Sequence, residues 1–312
     1  MSAPHPRPIP TDEDETIELD VGNGTASAAL WWTHVPSLPA ERLGAIGRFT
    51  ATSQEAALEV LAQARRRLLG AGCTLAIGPM DGNTWRRYRW VTDAGTEPPF
   101  FLEPTNPPNY PAWWRDAGFS PLAEYTSTAS DDLTTRDPRV ATAEQRLRAS
   151  GVAIRPLNRS AFTEELGRIY DVSVVSFQDN YLYTPLPREA FIAQYRPIED
   201  RVQPELVLLA EHAGQPVGYV FATPDFAQAQ RGEPVTTFIV KTLAVLPGRA
   251  FAGLGAVLLA QVHDHARQLG FRRVIHALMH ESNKSRNLSA HYARTIRRYT
   301  LFQSRLASMV IA

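Results

Sequence analysis

The chain has 312 residues, enough for one large or two ordinary domains, and 44% apolar content with 9% aromatics can fill real cores. Basic and acidic residues balance at 32 each, which excludes the electrostatic footprint of a nucleic-acid partner or an anionic membrane surface. One cysteine, Cys73, rules out an intramolecular disulfide framework and a cysteine-based metal centre, and no stretch reaches the length of a membrane span, so a cytoplasmic protein without a metal is expected.

In chain order, residues 1–22 read as a disordered leader, proline-rich and then acidic, with no apolar signal-peptide core. A first domain is assigned to 23–135. In it an amphipathic helix near Gln54–Leu69 leads through Gly70 to an apolar strand Cys73–Ile77 and then to Asp81-Gly82-Asn83. Trp85–Trp90 reads as a hairpin, and Pro98–Pro111 as part of a long insertion. The polar, turn-rich stretch Asp131–Pro138 and the helix-prone Arg139–Ala149 mark the linker.

A second domain, 150–312, follows a full α/β order. Its predicted elements are a strand Val152–Arg155, helices Arg159–Phe177 and Arg188–Tyr195, and a hairpin Leu206–Ala210 and Val217–Ala222. Then come a strand Thr236–Val245, a helix Leu254–Leu269, a strand Arg273–Leu278, a helix through Asn283–Tyr292 and a last strand Ile296–Leu306. The two halves form a faint repeat. Gly70 and Gly270, and likewise Asn83 and Asn283, stand at one common offset of 200 residues.

The most informative run is Val240–Leu259, where a strand passes through Gly253-Leu254-Gly255-Ala256 directly into an amphipathic helix. Glycines there leave room for close approach, and a helix start offers unpaired N–H groups and the positive end of a dipole, so a pyrophosphate fits. A P-loop is excluded because Ala256 and Val257 follow Gly255 in place of Lys-Ser/Thr, and a dinucleotide fingerprint because Leu258 replaces its third glycine. With Val245, Pro247, Gly253 and Gly255 in place, the run resembles the acyl-CoA loop of the GNAT N-acetyltransferase superfamily. It departs from that loop at Ala250 and Phe251, with Arg249 one residue early. The element order and Gly218 extend the resemblance over roughly 150–312, and the chain looks like a tandem protein with a degenerate first copy. There Thr52-Ser53-Gln54-Glu55 replaces the glycine turn, and its carboxylate would repel a phosphate.

The resemblance implies an α/β (α+β) fold with a mixed, mostly antiparallel sheet flanked by helices in two related domains. It implies transfer of an acetyl or other short acyl group from acyl-CoA directly to an amine, on a small molecule or a peptide. Leu243, Ala244 and Val245 would line the cofactor and supply an oxyanion donor, Arg249 and Gly253–Ala256 would meet the pyrophosphate, and Asn283 the pantetheine. An N-cap role fits Asn283 equally. Tyr292 is the candidate general acid, with core packing as the alternative, and Glu281 and His280 are the leading candidates for the base. Gln178, Asp179, Asn180, Tyr181 and Tyr183, between the first two helices, are candidates for the acceptor wall. Glu103–Trp114 covers the second domain's cleft or simply packs between domains. A homodimer stays open, and so does a noncatalytic ligand-binding module that works through protein association.

Overall fold

The computed structural model describes residues 12–22, 24–281 and 292–307. The first half holds β1 (Glu15–Val21), β2 (Gly24–Trp31), β3 (Leu43–Ala51), α1 (Gln54–Gly70), β4 (Leu75–Gly78), β5 (Trp90–Asp93), α2 (Tyr110–Asp116) and β6 (Ser120–Ser130). The second opens with α3 (Arg139–Ala149), β7 (Val152–Pro156), α4 (Phe162–Ser176), α5 (Arg188–Tyr195), β8 (Val207–His212) and β9 (Gln215–Pro224). It closes with α6 (Phe226–Gln230), β10 (Thr237–Val245), α7 (Leu254–Gln268), β11 (Arg273–His280) and β12 (Arg294–Arg305). Among the described residues no helix is long and apolar enough to cross a membrane.

All strands join one 12-stranded sheet in the order β1-β2-β3-β4-β12-β6-β11-β10-β9-β8-β7, with β5 on β12. Among the described residues only β3/β4 and β10/β11 pair in parallel, and each of these pairs is bridged by a helix, α1 in one half and α7 in the other. This is the mixed, mostly antiparallel sheet flanked by helices that the sequence implies. The halves exchange strands at the centre. β12 runs beside β4 of the first half, and β6 runs beside β11 of the second, so each half's parallel pair is completed by the other's strand.

The helices form because their apolar residues recur at helical spacing. Ala56, Ala57, Val60, Leu61, Ala64 and Leu68 of α1 are buried, as are Leu254, Val257, Leu258, Val262 and Ala266 of α7. Helices α1 and α2 pack on the face of Ile17, Ala28, Leu30 and Phe302, and α7 with α3 on that of Phe238, Val240 and Val274. The opposite face carries α4 and α5 on Leu209, Tyr219 and Ala244. There Leu182, from the α4–α5 connection, enters the first half's cluster beside Tyr125 and Tyr299.

Two expectations need correction. The assignment of 1–22 to a disordered leader fails from Glu15 onward, where β1 pairs with β2 along its whole length. The acidic composition hid a period of two, in which Ile17 turns into the core. Trp85–Trp90 is not a hairpin: its one bridge is Met80↔Tyr88, and Trp90 opens a strand on β12. The aromatics are used for packing instead, since the Trp85 indole donates to Thr184 O at 2.7 Å and meets Phe191 edge-on.

Candidate functional site

Strands β10 and β11 pair only from Thr237↔Arg273 to Val240↔His276, and beyond that point they part. Each strand carries an irregularity where they separate. β10 shifts register on β9 between Val240 and Thr242, and β11 shifts on β6 between His276 and Met279. Leu278 takes φ +61°, a left-handed backbone rare for such a side chain, and its N–H donates to Ser127 Oγ at 3.0 Å. The opening therefore follows from a bulge held by a hydroxyl of the exchanged strand β6.

Along β10 the backbone groups alternate between its two neighbours. Leu246 N–H donates to Val217 O at 2.9 Å, so the N–H groups of Val245 and Leu243 turn the other way, into the opening. Val245 O accepts from Ser176 Oγ at 3.1 Å, which ties the end of α4 to this strand. Gly218 suits the tight space beside it, because a Cβ there would stand 3.1 Å from both Ala244 O and Leu254 Cδ2.

The helix start beyond β10 is open. Gly253 is the N-cap of α7 with φ +81°, no side chain caps it, and among the described residues Val257 is the first of the helix to find an acceptor, Gly253 O at 3.1 Å. Gly253 itself is exposed, Gly255 and Ala256 are half-buried, and Arg249 is an exposed cation one turn away. The equivalent place in the first half differs as the repeat predicts: Ser53 caps α1, taking the N–H of Ala56 at 3.2 Å. The departures from the loop pattern have a structural use. Phe251 packs edge-on against His212, and Ala250 O accepts from Arg146 Nη1 of α3 at 3.4 Å.

Of the predicted catalytic residues, Tyr292 reaches the apex of the opening. Its hydroxyl lies 3.5 Å from Nε2 of His276, the last residue of β11 paired to β10, and both rings pack on His263 of α7. Burial pushes the phenol up to about 12. The same burial, with His276 and Arg136 adding to it for His263, holds His263 down at about 3 and His276 at about 4. Both imidazoles are neutral in the fold, while the unfolded chain takes up these protons near pH 6.5. Stability present above that pH is therefore lost as pH falls from about 6.5 toward 4. By about pH 5 the loss is on the order of 2 kcal/mol per histidine. Urea unfolding near neutrality and near pH 5 measures it, with His276→Asn expected to flatten the slope; a midpoint indifferent to pH would refute the assignment.

His280 and Glu281 lie at the far end of β11. His280 stacks on Tyr181 at 5.5 Å and meets Tyr125 edge-on at 5.0 Å, and burial, then Arg89, lowers its imidazole. Glu281 N–H donates to Glu124 O at 3.1 Å, and a hydrogen bond from the Glu281 carboxyl, then burial, raises Glu124. The acceptor-wall candidates divide. Tyr181 faces His280, and Tyr183 packs on Trp85, whereas Gln178, Asp179 and Asn180 are exposed at the turn. Asn283 lies outside the described residues. The covering segment is Phe100–Glu103 rather than the stretch to Trp114: Phe101 N–H donates to Asp225 at 2.7 Å, and Leu102 O accepts from Lys241 Nζ at 3.3 Å. Tyr110 and Trp114 pack inside the first half. Sequence reasoning missed Ser127 and Glu124, which the exchanged strand β6 brings in, and Ser176, Arg89 and Lys241, whose partners lie far away in the chain.

Residues 166–291 match the model of the acetyltransferase (GNAT) family. A comparison with curated proteins found no match. Among solved structures, a GCN5-related N-acetyltransferase from Sphaerobacter thermophilus is similar at 12% identity and TM-score 0.51, over 93% of this chain and 83% of that one. A GCN5-related glucosamine N-acetyltransferase region of a fungal multi-domain GH3 β-N-acetylglucosaminidase is similar at 11% identity and TM-score 0.53, over 89% of this chain and 31% of that one. A tandem GNAT protein from the clavulanic acid biosynthesis pathway aligns at 14% identity and TM-score 0.48, over 91% and 79%. For the first two, at these identities, the likeness is one of fold.

Proposed function

Because residues 166–291 match the model of the acetyltransferase (GNAT) family, we propose that the chain transfers an acyl group from acyl-CoA directly to an amine at the opening between β10 and β11. The observation that carries this reading is the uncapped, glycine-started α7 placed at the end of a strand whose N–H groups face that opening. Acyl-CoA supplies the activated thioester. The N–H groups of Gly253–Ala256 and the Arg249 guanidinium would hold its pyrophosphate, and the N–H groups of Leu243 and Val245 would bond its pantetheine arm and polarise the thioester carbonyl.

The chain's remaining tasks are proton transfers. An amine must lose a proton to attack, and His280, whose imidazole burial and Arg89 lower, would be the group to accept it, with the Glu281–Glu124 pair alongside. The departing thiolate takes a proton from Tyr292, which is protonated at any physiological pH. The first half would contribute β6 and the roof over the acceptor side, with no phosphate site of its own at the Ser53-capped helix. Direct transfer fits a chain whose one cysteine, Cys73, is buried in the first half's core.

The test is acetyl-CoA binding by calorimetry followed by thiol release with an amine panel. Gly255→Asp places a carboxylate in the first turn of α7, where the helix dipole favours it and the fold is retained. A like charge near the pyrophosphate costs on the order of 1–4 kcal/mol, so affinity should fall roughly tenfold or more. Unchanged affinity would remove the cofactor from this helix. Gln54→Asp at the first half's helix start is expected to change nothing.

A further inference from the structure

The junction between the halves buries more positive charge than it neutralises. Arg89 is only 6% exposed, and its guanidinium lies 4.0 Å from the ring centre of Tyr88 and 4.3 Å from that of Tyr125. Its Nε and Nη1 are buried and, among the described residues, meet no acceptor. Lys241 stands on the same face of the sheet, at the register shift where β10 leaves β11, with Leu102 O as its hydrogen-bond partner. Burial, with Arg89 adding to it and Glu103 opposing, lowers its ammonium to about 8. Glu103 is the neighbouring carboxylate, and it is already committed: it accepts from Arg297 Nε at 2.8 Å, Tyr299 OH at 2.7 Å and Phe100 N–H at 3.1 Å. Among the described residues no carboxylate pairs with this guanidinium, and an anion from outside would complete it.

The position says which molecule brings it. Arg89 acts electrostatically on His280, and Tyr125 touches both. An anion on Arg89 therefore lies beside the residue at the mouth of the opening, on the face opposite α7. We propose that Arg89 binds a carboxylate of the acceptor, so that the acceptor is an amine carrying a carboxylate, of amino-acid type, with the guanidinium setting its orientation toward His280. Tyrosine rings crowd the guanidinium, which favours a small planar carboxylate over a tetrahedral phosphate. The proposal rests on the acyltransferase reading for its chemistry and on the buried, unpaired guanidinium for its specificity.

The experiment has a binding arm and a turnover arm, both on the full chain. In the first, thermal midpoints are recorded without CoA in the presence of phenylalanine, 2-phenylethylamine or O-phosphoethanolamine; phenylalanine alone should raise the midpoint of the parent. In the second, thiol release from acetyl-CoA should favour phenylalanine over 2-phenylethylamine by roughly tenfold or more in kcat/KM, the scale of one charge-assisted hydrogen bond. Arg89→Gln should erase both preferences, chiefly through KM, while acetyl-CoA affinity stays as in the parent. Arg89→Lys keeps the charge and should retain part of the preference, which covers the case in which the Gln variant fails to fold. A parent that prefers 2-phenylethylamine or O-phosphoethanolamine, or an Arg89→Gln protein that still favours the carboxylate, overturns the proposal. Carboxylate-dependent stabilisation that Arg89→Gln abolishes, with no thiol release from any amine, would keep the site and reject the acyltransferase reading.

Discussion

Tyr292→Phe is expected to lower turnover by about 10²–10⁴-fold, the usual weight of a general acid, while acetyl-CoA affinity hardly moves. The substitution removes one hydroxyl and keeps the ring. That ring packs on His263 and His276, and a phenylalanine fills the same space, so the fold should tolerate it. The hydroxyl sits where the two strands part, 3.5 Å from a neutral imidazole, and a thiol's pKa near 8.5 lies well below its own value of about 12. Transfer from the phenol is uphill for a free thiolate, and the benefit falls at the transition state, as negative charge gathers on sulfur. Turnover within a few-fold of the parent would return Tyr292 to packing, and a matching loss of CoA affinity would make it a binding residue.

Glu103→Ala is expected to cost about 3–5 kcal/mol of stability, the penalty for stranding one member of a buried ion pair. The Arg297 side chain is 3% exposed and the Glu103 side chain 1%, and with Glu103 gone both Arg297 Nε and the Tyr299 hydroxyl lose their acceptor. The hydroxyl is also one end of the relay through Ser127 to Leu278 N–H, so the bulge that opens β11 should loosen with it. The thermal midpoint should drop by roughly 5–8 °C. Asp200→Ala is the control. Its carboxylate pairs with Arg159 but is 98% exposed, and removing it should change stability by less than about 0.5 kcal/mol. Equal shifts for the two variants would show that the buried pair is no keystone of the junction.

Much of the second half was legible because its signals are local. The glycine-to-helix run marks α7, helical spacing marks α4, and the turn at His212–Gln215 marks the β8–β9 hairpin, since each depends on neighbours within a few residues. The repeat was legible too, and it extends further than its glycines: Ser53 and Gly253 cap equivalent helices, one closed by a hydroxyl and the other open. The sheet order was hidden. Nothing within Ser120–Ser130 says that its partner strand lies near residue 275, so Ser127, Tyr125 and Glu124 carried no sign of a role. Arg89 carries no local mark either, because the tyrosines around it come from three segments of the chain. Asp179 drew notice for its charge, yet an exposed turn carboxylate and a half-buried Tyr181 two residues on differ in a way that only the tertiary fold displays.

The central exchange of β6 and β12 also bears on the order of events during synthesis. As the chain leaves the ribosome, β4 and β6 emerge long before their common neighbour, and the slot between them stays vacant until residues 294–305 arrive. Two apolar edges must wait, unzipped, while the stretch between Ser130 and Arg294 is made. The halves are thus poor candidates for sequential maturation: neither has a finished sheet until the last strand threads home, and the cleft between β10 and β11 is shaped in that same closing step.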